Sequence, residues 1–392
     1  MAPAFTRDEY ADRLQRTRQA MERHQIDALV VGDPANINWL TGYDAWSFYT
    51  PQVMVVGLEL EPTWLGREMD AGAAKFTTYL PAEQVVAYPE HMVQMKDSHP
   101  AQFMADWMLK VGLDGKTIGY ENNVYFLTPL AIDHLKRGLP NATWTDADLL
   151  INWVRLVKSP AEIEMIRQAS VIAGLAMQTA YKEVRPGVRQ WDLMAEVVAA
   201  QVRGTPEFGG HLTAIYPLVL AGEAASTAHP MWTDAPFEHD QTIAFELGGC
   251  RKRYNAGLAR TVHIGKPPKK LIETAKAVNE GMEAVLSSLA ANVMAQDVHA
   301  AWQAVLNRYG LEKKSRIGYS IGVNYAPDWG EHTLSFRPGE TTIVPENAVI
   351  HIILGMWLDG WGMELSETIH VRQDDAVCLT NFPRDVYLID PF

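Results

Sequence analysis

The sequence predicts two domains of different class, an α/β domain over residues 1–152 followed by an α+β domain over residues 153–392. Three observations carry this expectation. A chain of 392 residues is long enough to bury two full cores. Helix-like and strand-like patterns alternate as far as about residue 150. A complete helix-start signal, Lys158-Ser-Pro-Ala-Glu162, then opens a second series in which strand candidates stand apart with helices between them.

Taken in order, residues 8–24 read as an amphipathic helix, with Tyr10, Leu14 and Met21 inward and Arg13, Arg16 and Arg18 outward. The apolar run Ala28-Leu-Val-Val-Gly32 reads as a buried strand, and strand-like runs recur at 53–60 and 117–120 around a helical stretch at 101–111. At the second start signal Ser159 is placed to cap, Pro160 takes the first helical position and Glu162 completes a capping box. Ile166, Ala169, Ala173, Ala176 and Ala180 then form a narrow stripe of mostly small residues suited to close packing, until Arg185-Pro-Gly187 stops the helix. Further helices are expected near 190–203, 268–289 and 297–309. Strands are expected at 215–220, 241–247, 259–264, 317–323, 348–354 and 366–371. No segment is of low complexity, and no repeat of fixed period stands out.

Composition narrows the function. A formal net charge of −13 argues against a polyanionic partner such as nucleic acid, whose recognition rests on a basic surface, and points to a small-molecule substrate. The most hydrophobic runs, such as residues 348–356, are much shorter than the roughly 20 residues of a membrane span. The opening MAPAFTRDEYADRL turns charged at once, without the apolar stretch and cleavage site of a secretory leader, so a cytoplasmic protein is expected. Cys250 and Cys378, far apart, give neither a disulfide framework nor a thiolate metal cluster. The 12 Trp, 14 Tyr and 16 Met are core residues by default, although aromatic faces with carboxylates also suit a small cation.

Six segments then occur in one order: Asn36-Ile-Asn-Trp-Leu-Thr-Gly42, Arg155-Leu-Val-Lys-Ser-Pro-Ala-Glu162, Thr227-Ala-His-Pro230, Glu246-Leu-Gly248, Ala256-Gly-Leu-Ala-Arg-Thr261 and Gly318-Tyr-Ser-Ile-Gly322. Together they resemble the signatures of the creatinase and aminopeptidase family, the pita-bread fold. The resemblance implies an α+β pita-bread catalytic domain preceded by an α/β creatinase-type N-terminal domain. In the family's peptidases the pattern supplies two Asp, one His and two Glu to a metal site. Here those positions hold Glu246, Gly257, Tyr319, Ile353 and, near the last, Ser366, with Glu364 and Glu367 flanking it. Glycine has no ligating side chain, and a neutral phenol is a poor ligand for a divalent ion. A pair of hard cations needs several converging carboxylates or imidazoles, so no metal and no other cofactor is expected. The departure leaves the fold untouched, since fold and chemistry are separable.

Within the family the pattern most resembles the branch that opens the cyclic amidine of ectoine by hydrolysis, without metal. An amidinium is already an activated, cationic electrophile, so a carboxylate and a proton shuttle suffice. On this resemblance Glu246 is the nucleophile, forming a covalent intermediate, with activation of water as its alternative role, and His229 moves protons to the leaving nitrogen. The plainer reading of Glu246 is a surface or salt-bridged glutamate, but Ile243-Ala-Phe245 and Leu247-Gly-Gly249 make its strand apolar. His229 read plainly is a satisfied structural histidine. Tyr319 either fills the space of the lost metal or contacts substrate. Trp46, Phe48 and Tyr49 are candidates to wall a cationic ring, in a region that reaches the neighbouring subunit's site in creatinase-like homodimers, or else ordinary packing residues. Asp328, Trp329, Glu331 and Glu364 are further substrate-binding candidates, and a downstream deacetylase is a candidate partner. The rivals are a creatinase-like amidinohydrolase, against which the absence of both creatinase imidazoles speaks, the metal-dependent dimethylsulfoniopropionate lyase branch, and an inactive pita-bread binding module.

Overall fold

Helix α1 (Arg7–Arg23) begins where Thr6 accepts the Glu9 amide, with Asp8 and Glu9 at its positive end. One expectation for it fails: Arg13 does not face solvent but is fully buried. Its guanidinium donates to the Trp39 carbonyl at 3.0 Å and pairs with Glu9 at 3.0 Å, so the charge is carried inward with partners in place. Arg16 and Arg18 are half-buried and tie the helix to the carbonyls of Val154 and Gly57.

The computed structural model describes residues 3–390 and divides into two units, Met1–Arg155 and Leu156–Phe392. After α1 the first unit continues β1 (Ala28–Val31), α2 (Pro34–Thr41), β2 (Val53–Gly57), β3 (Thr63–Arg67), α3 (Ala71–Thr77), β4 (Val85–Tyr88), α4 (Pro100–Lys110), β5 (Thr117–Tyr120), α5 (Pro129–Gly138), β6 (Thr143–Asp146) and α6 (Leu150–Arg155). Its mixed sheet runs β4-β3-β2-β1-β5-β6, and α4 and α5 cover its apolar face through Met104, Met108 and Leu135. The expected strand at 53–60 stops at Gly57, and β3 pairs back antiparallel to it. Burial on both faces of β3 erases the alternation that would have announced it. The Asn36 to Gly42 signature is the short helix α2, which Asp33 caps and Gly42 closes in the left-handed region at φ 82°. All eight of its residues are buried. The Asn36 amide donates to Glu121 at 2.6 Å and to Asn152 at 2.8 Å.

The second unit comprises α7 (Pro160–Glu183), α8 (Gln190–Arg203), β7 (Leu218–Ala221), β8 (Gln241–Arg251), β9 (Tyr254–Ile264), α9 (Lys269–Ser288), α10 (Ala295–Tyr309), β10 (Gly318–Ile321), β11 (Gly330–Phe336), β12 (Val349–Ile353), β13 (Met356–Leu358), β14 (Trp361–Met363), β15 (Ser366–Val371), β16 (Ala376–Cys378) and β17 (Tyr387–Ile389). Helix α7 starts with the expected capping box on Ser159 and Glu162. Its small-residue stripe lies on β8 so closely that a Cβ at Gly249 would stand 1.9 Å from the Ala169 carbonyl. Two sheets result, β17-β9-β8-β7 and β11-β10-β12-β15-β16, with the hairpin β13-β14 beside them.

Hydroxyl side chains stitch β9 to the β15 segment. Thr261 Oγ1 donates to the Glu364 carbonyl and accepts the Glu364 amide, both at 2.9 Å. The Ala259 amide donates to Ser366 Oγ at 2.6 Å, and Thr368 Oγ1 both accepts the Gly257 amide and donates to its carbonyl at 2.9 Å. Because the amides of Ala259 and Gly257 turn toward β15, the register pair Glu246–Ala259 is a non-hydrogen-bonded pair of the β8-β9 ladder, the kind whose side chains stand closest. No helix among the described residues is long and apolar enough to cross a membrane.

Candidate active site

Glu246, Gly248, Gly257, Ala259 and Thr261 share one face of β8-β9, toward β12 and the β15 segment. Two observations explain why glycine stands where the family has an aspartate. A Cβ at Gly257 would lie 2.7 Å from His351 Nε2, so the imidazole occupies the room an aspartate side chain would need. His351 is fully buried on β12, with Nε2 2.8 Å from Ser366 Oγ and Nδ1 3.3 Å from Tyr319 Oη. Its ring meets those of Tyr319 and Trp329 edge-on at 5.5 and 5.4 Å. Trp329 is buried, donates Nε1–H to Tyr319 Oη at 2.9 Å, and lies so close over the strand that a Cβ at Gly248 would stand 2.6 Å from its ring. Burial pushes the His351 imidazole down to about 3, with the nearby Arg316 charge adding to the effect, so the ring is neutral.

Two carboxyls on this side of the unit are buried. Glu246 accepts no hydrogen bond among the described residues. Burial raises it well above the ordinary carboxylate range, and the charge of Glu364 raises it further. Glu364 is raised by burial to about 7, opposed by the hydrogen bond from Trp357 and the charge of Lys313. Trp357 Nε1 donates to Glu364 Oε1 at 2.8 Å, while Oε2 has no partner among the described residues. Lys313, itself lowered by burial to about 8, stands 4.2 Å over the Trp357 ring and donates to Ser315 Oγ and the Gly355 carbonyl. Tyr319 is raised by burial and by the Glu246 charge, and the exposed Arg316 covers its ring at 4.3 Å.

The structure thus joins Glu246, Glu364, Tyr319 and Trp329 in one neighbourhood, and it adds His351, Ser366, Trp357 and Lys313. A histidine alone in the apolar strand Val349-Ile-His-Ile-Ile353 is a sequence signal for the first of these. The partnership of Lys313, Trp357 and Glu364 is tertiary and leaves none. Of the other candidates, Asp328 stands close enough to Tyr319 for its charge to raise that phenol further, and the rest are engaged elsewhere or lie apart. Glu331 is buried and paired with the buried Lys158 at 2.6 Å, which makes it an anchor for the Lys158-Ser-Pro-Ala-Glu162 segment. Asp328 pairs with His332 at 2.6 Å. Burial opposes its ionisation, but the His332 and Gly330 donors outweigh that and leave its carboxyl below the usual range. His229 is exposed on the loop after the short 3₁₀ turn Gly222–Ser226, and no hydrogen bond or ion pair links it to Glu246 among the described residues. In the first unit Trp46 is half-buried with its ring 5.8 Å from Phe48, while Phe48 and Tyr49 are 76% and 66% exposed.

The donor set does not fit the family's metal site. At its five positions only Glu246 is a carboxylate, Ser366 Oγ is engaged by the Ala259 amide and His351, and Ile353 is a buried residue whose side chain has no donor atom. No group of three or more His, Cys, Asp or Glu side chains among the described residues is arranged to hold an ion.

Residues 13–157 match the model of the creatinase/prolidase N-terminal domain, and residues 164–373 match that of metallopeptidase family M24. The chain is 38% identical to the ectoine hydrolase of Halomonas elongata over 98% of each protein. It is 39% identical to an uncharacterised hydrolase/peptidase of Sinorhizobium fredii over 98% of this chain and 99% of that one. Among solved structures, a prolidase from Thermococcus sibiricus superimposes with a TM-score of 0.84 at 17% identity, covering 97% of this chain and 99% of that one. An X-Pro aminopeptidase from Thermotoga maritima gives 0.81 at 18%, covering 96% and 99%. The chain is therefore a hydrolase of metallopeptidase family M24, with a creatinase/prolidase N-terminal domain ahead of the family's pita-bread domain.

Proposed function

We propose that the protein opens the cyclic amidine of ectoine with water to give N-acetyl-2,4-diaminobutyrate, without a metal. The observation that carries this reading is the pair of buried carboxyls, Glu246 and Glu364, which between them accept a single hydrogen bond among the described residues. A buried carboxylate without donors favours a ligand that brings both a positive charge and N–H groups, and an amidinium brings both. The 38% identity to an ectoine hydrolase supports the particular amidine.

In this mechanism the cation ionises Glu246 on binding, and the carboxylate attacks the amidine carbon. His229, exposed to water, serves as the proton shuttle. Glu364, Tyr319 and Trp329 hold the ring in place. The aromatic loop of Trp46, Phe48 and Tyr49 completes a neighbouring subunit's site in a homodimer, and the acetylated product suits a deacetylase acting next. The protein works in the cytoplasm.

The test incubates chelator-treated protein with ectoine and with creatine and follows products by chromatography. Ectoine is consumed at an undiminished rate and creatine is not. Loss of turnover on chelation, restored by a metal ion, sinks the metal-free mechanism, and consumption of creatine alone sinks the substrate. A near-normal rate for Glu246→Ala removes the nucleophile, and one for His229→Ala removes the shuttle.

A further inference from the structure

Counting donors and acceptors around Ser366 fixes the direction of a hydrogen-bond chain. Ser366 Oγ receives the Ala259 amide, and His351 Nε2 is the one acceptor among the described residues within reach of its hydroxyl proton. A buried donor left unmade is costly, so that proton goes to Nε2. A neutral imidazole that accepts at Nε2 carries its hydrogen on Nδ1, and Nδ1 faces Tyr319 Oη. That oxygen also receives Trp329 Nε1–H. A phenol oxygen has two lone pairs, and both are now occupied. Its own proton is left to be donated outward.

The place it points from is set by the strands. Trp329 covers Gly248 and His351 covers Gly257, each two residues along from the paired Glu246 and Ala259 on the same face. Tyr319, held between those two rings, stands close enough to feel the Glu246 charge. We propose that Tyr319 is the general acid that protonates the nitrogen released on ring opening, and that Ser366 and His351 are positioning residues that hold its hydroxyl in the donating sense. This rests on the ring-opening reading and adds to it the group that protonates the leaving nitrogen.

The step balances without any oxidant or reductant. A Glu246 oxygen bonds to the amidine carbon. The carbon–nitrogen bond breaks with its electron pair going to nitrogen, which takes the Tyr319 proton. Water then adds to the carbon and returns one proton to the phenolate. Its second proton passes to the released amine as the bond to Glu246 breaks. Bonding to carbon removes the Glu246 charge that holds the Tyr319 proton most tightly after burial, so the acid strengthens at the stage that uses it.

The test combines nitrogen NMR on histidine-labelled protein, with His351→Asn to identify the signal, and kinetics on ectoine. His351 in the free wild-type enzyme shows a neutral ring protonated at Nδ1 between pH 6 and 9. A ring protonated at Nε2 overturns the proposal, independently of substrate. Tyr319→Phe lowers kcat by about 10²–10⁴-fold with KM changed less than about threefold. Ser366→Ala releases the His351 tautomer and lowers kcat by about tenfold at similar KM. Wild-type kcat in Tyr319→Phe overturns the proposal and leaves the ring-opening reading standing. A wild-type protein that leaves ectoine intact overturns both.

Discussion

Each unit contains a buried carboxylate cluster, and the two are treated in opposite ways. In the first, Glu121 accepts the amides of Gly32 and Asp33 at 2.8 Å and the Asn36 side chain at 2.6 Å. Burial and the charge of Asp33 still raise it to about 8, but three donors hold its two oxygens. In the second, Glu246 has no donor among the described residues and Glu364 has one. The second unit does not lack the means to satisfy an acid. Glu331 has Lys158, and Glu367 has Arg260, Arg384 and Thr380. Native proteins rarely leave buried polar groups unmet, and those left unmet need a reason. The difference separates an acid that holds a fold together from two that wait for a ligand.

The largest expected effect breaks the comparison at Glu246. Glu246→Gln lowers kcat on ectoine by about 10³-fold or more, since an amide is no nucleophile. Stability moves the other way. In the folded state Glu246 is raised well above its ordinary value and Glu364 lies near 7, whereas in the unfolded chain both are ordinary carboxylates near 4.3. The folded state therefore binds more protons between those values, and stability is fully present below about pH 4 and is lost as pH rises through about 7. Glu246→Gln and Glu364→Gln melt above wild type at pH 8, by about 2–4 °C for each kcal/mol relieved, and the difference closes toward pH 4. His351, which destabilises the fold as pH falls from 6.5 toward 3, is present in every variant and cancels. A lower melting temperature for both variants at pH 8 contradicts the account.

The next effect tests the satisfied cluster. Glu121→Ala leaves the Gly32 and Asp33 amides and one Asn36 donor without their acceptor, at about 1–3 kcal/mol for each. Thermal or denaturant unfolding then shows a loss of about 3 kcal/mol or more, while kcat at 25 °C stays within about threefold. A variant as stable as wild type shows that Glu121 is not what holds α2.

Much of this was legible in the sequence, for identifiable reasons. Helix α7 announced itself because its cap, its first-turn proline and its small-residue stripe are local patterns, and the stripe matches the close approach to Gly249. Strand β15 at 366–371 coincides with its expected range. Glu246 is marked by its place in the family pattern, and the apolar run around it speaks against a surface glutamate. What stayed hidden depends on contacts between distant segments. Arg13 looks like a solvent residue until Trp39 offers its carbonyl. Gly257 looks like a simple loss until His351 is seen in its space. Glu331 looks like a pocket acid until Lys158 meets it. Short strands such as β13 and β14, three residues each, carry too little pattern to register.

The smallest expected effect concerns the one donor that the open pair does have. Trp357 both donates to Glu364 and carries the Lys313 ammonium on its ring. Trp357→Phe keeps an aromatic face for the cation and removes the donor, so it isolates the hydrogen bond. That bond favours the ionised form of Glu364, and without it the acid rises above about 7. A cationic substrate binds the ionised site, so raising this acid lowers the fraction of competent enzyme at any pH near neutrality. The acid limb of kcat/KM therefore moves up by about half to one pH unit, in proportion to a hydrogen bond worth about 1 kcal/mol. At pH 6.5 the variant is several-fold slower than wild type, and at pH 9, where both are ionised, the two converge. A loss of the same size at every pH assigns Trp357 to packing alone, and Glu364 then stands in the site without a partner that tunes it.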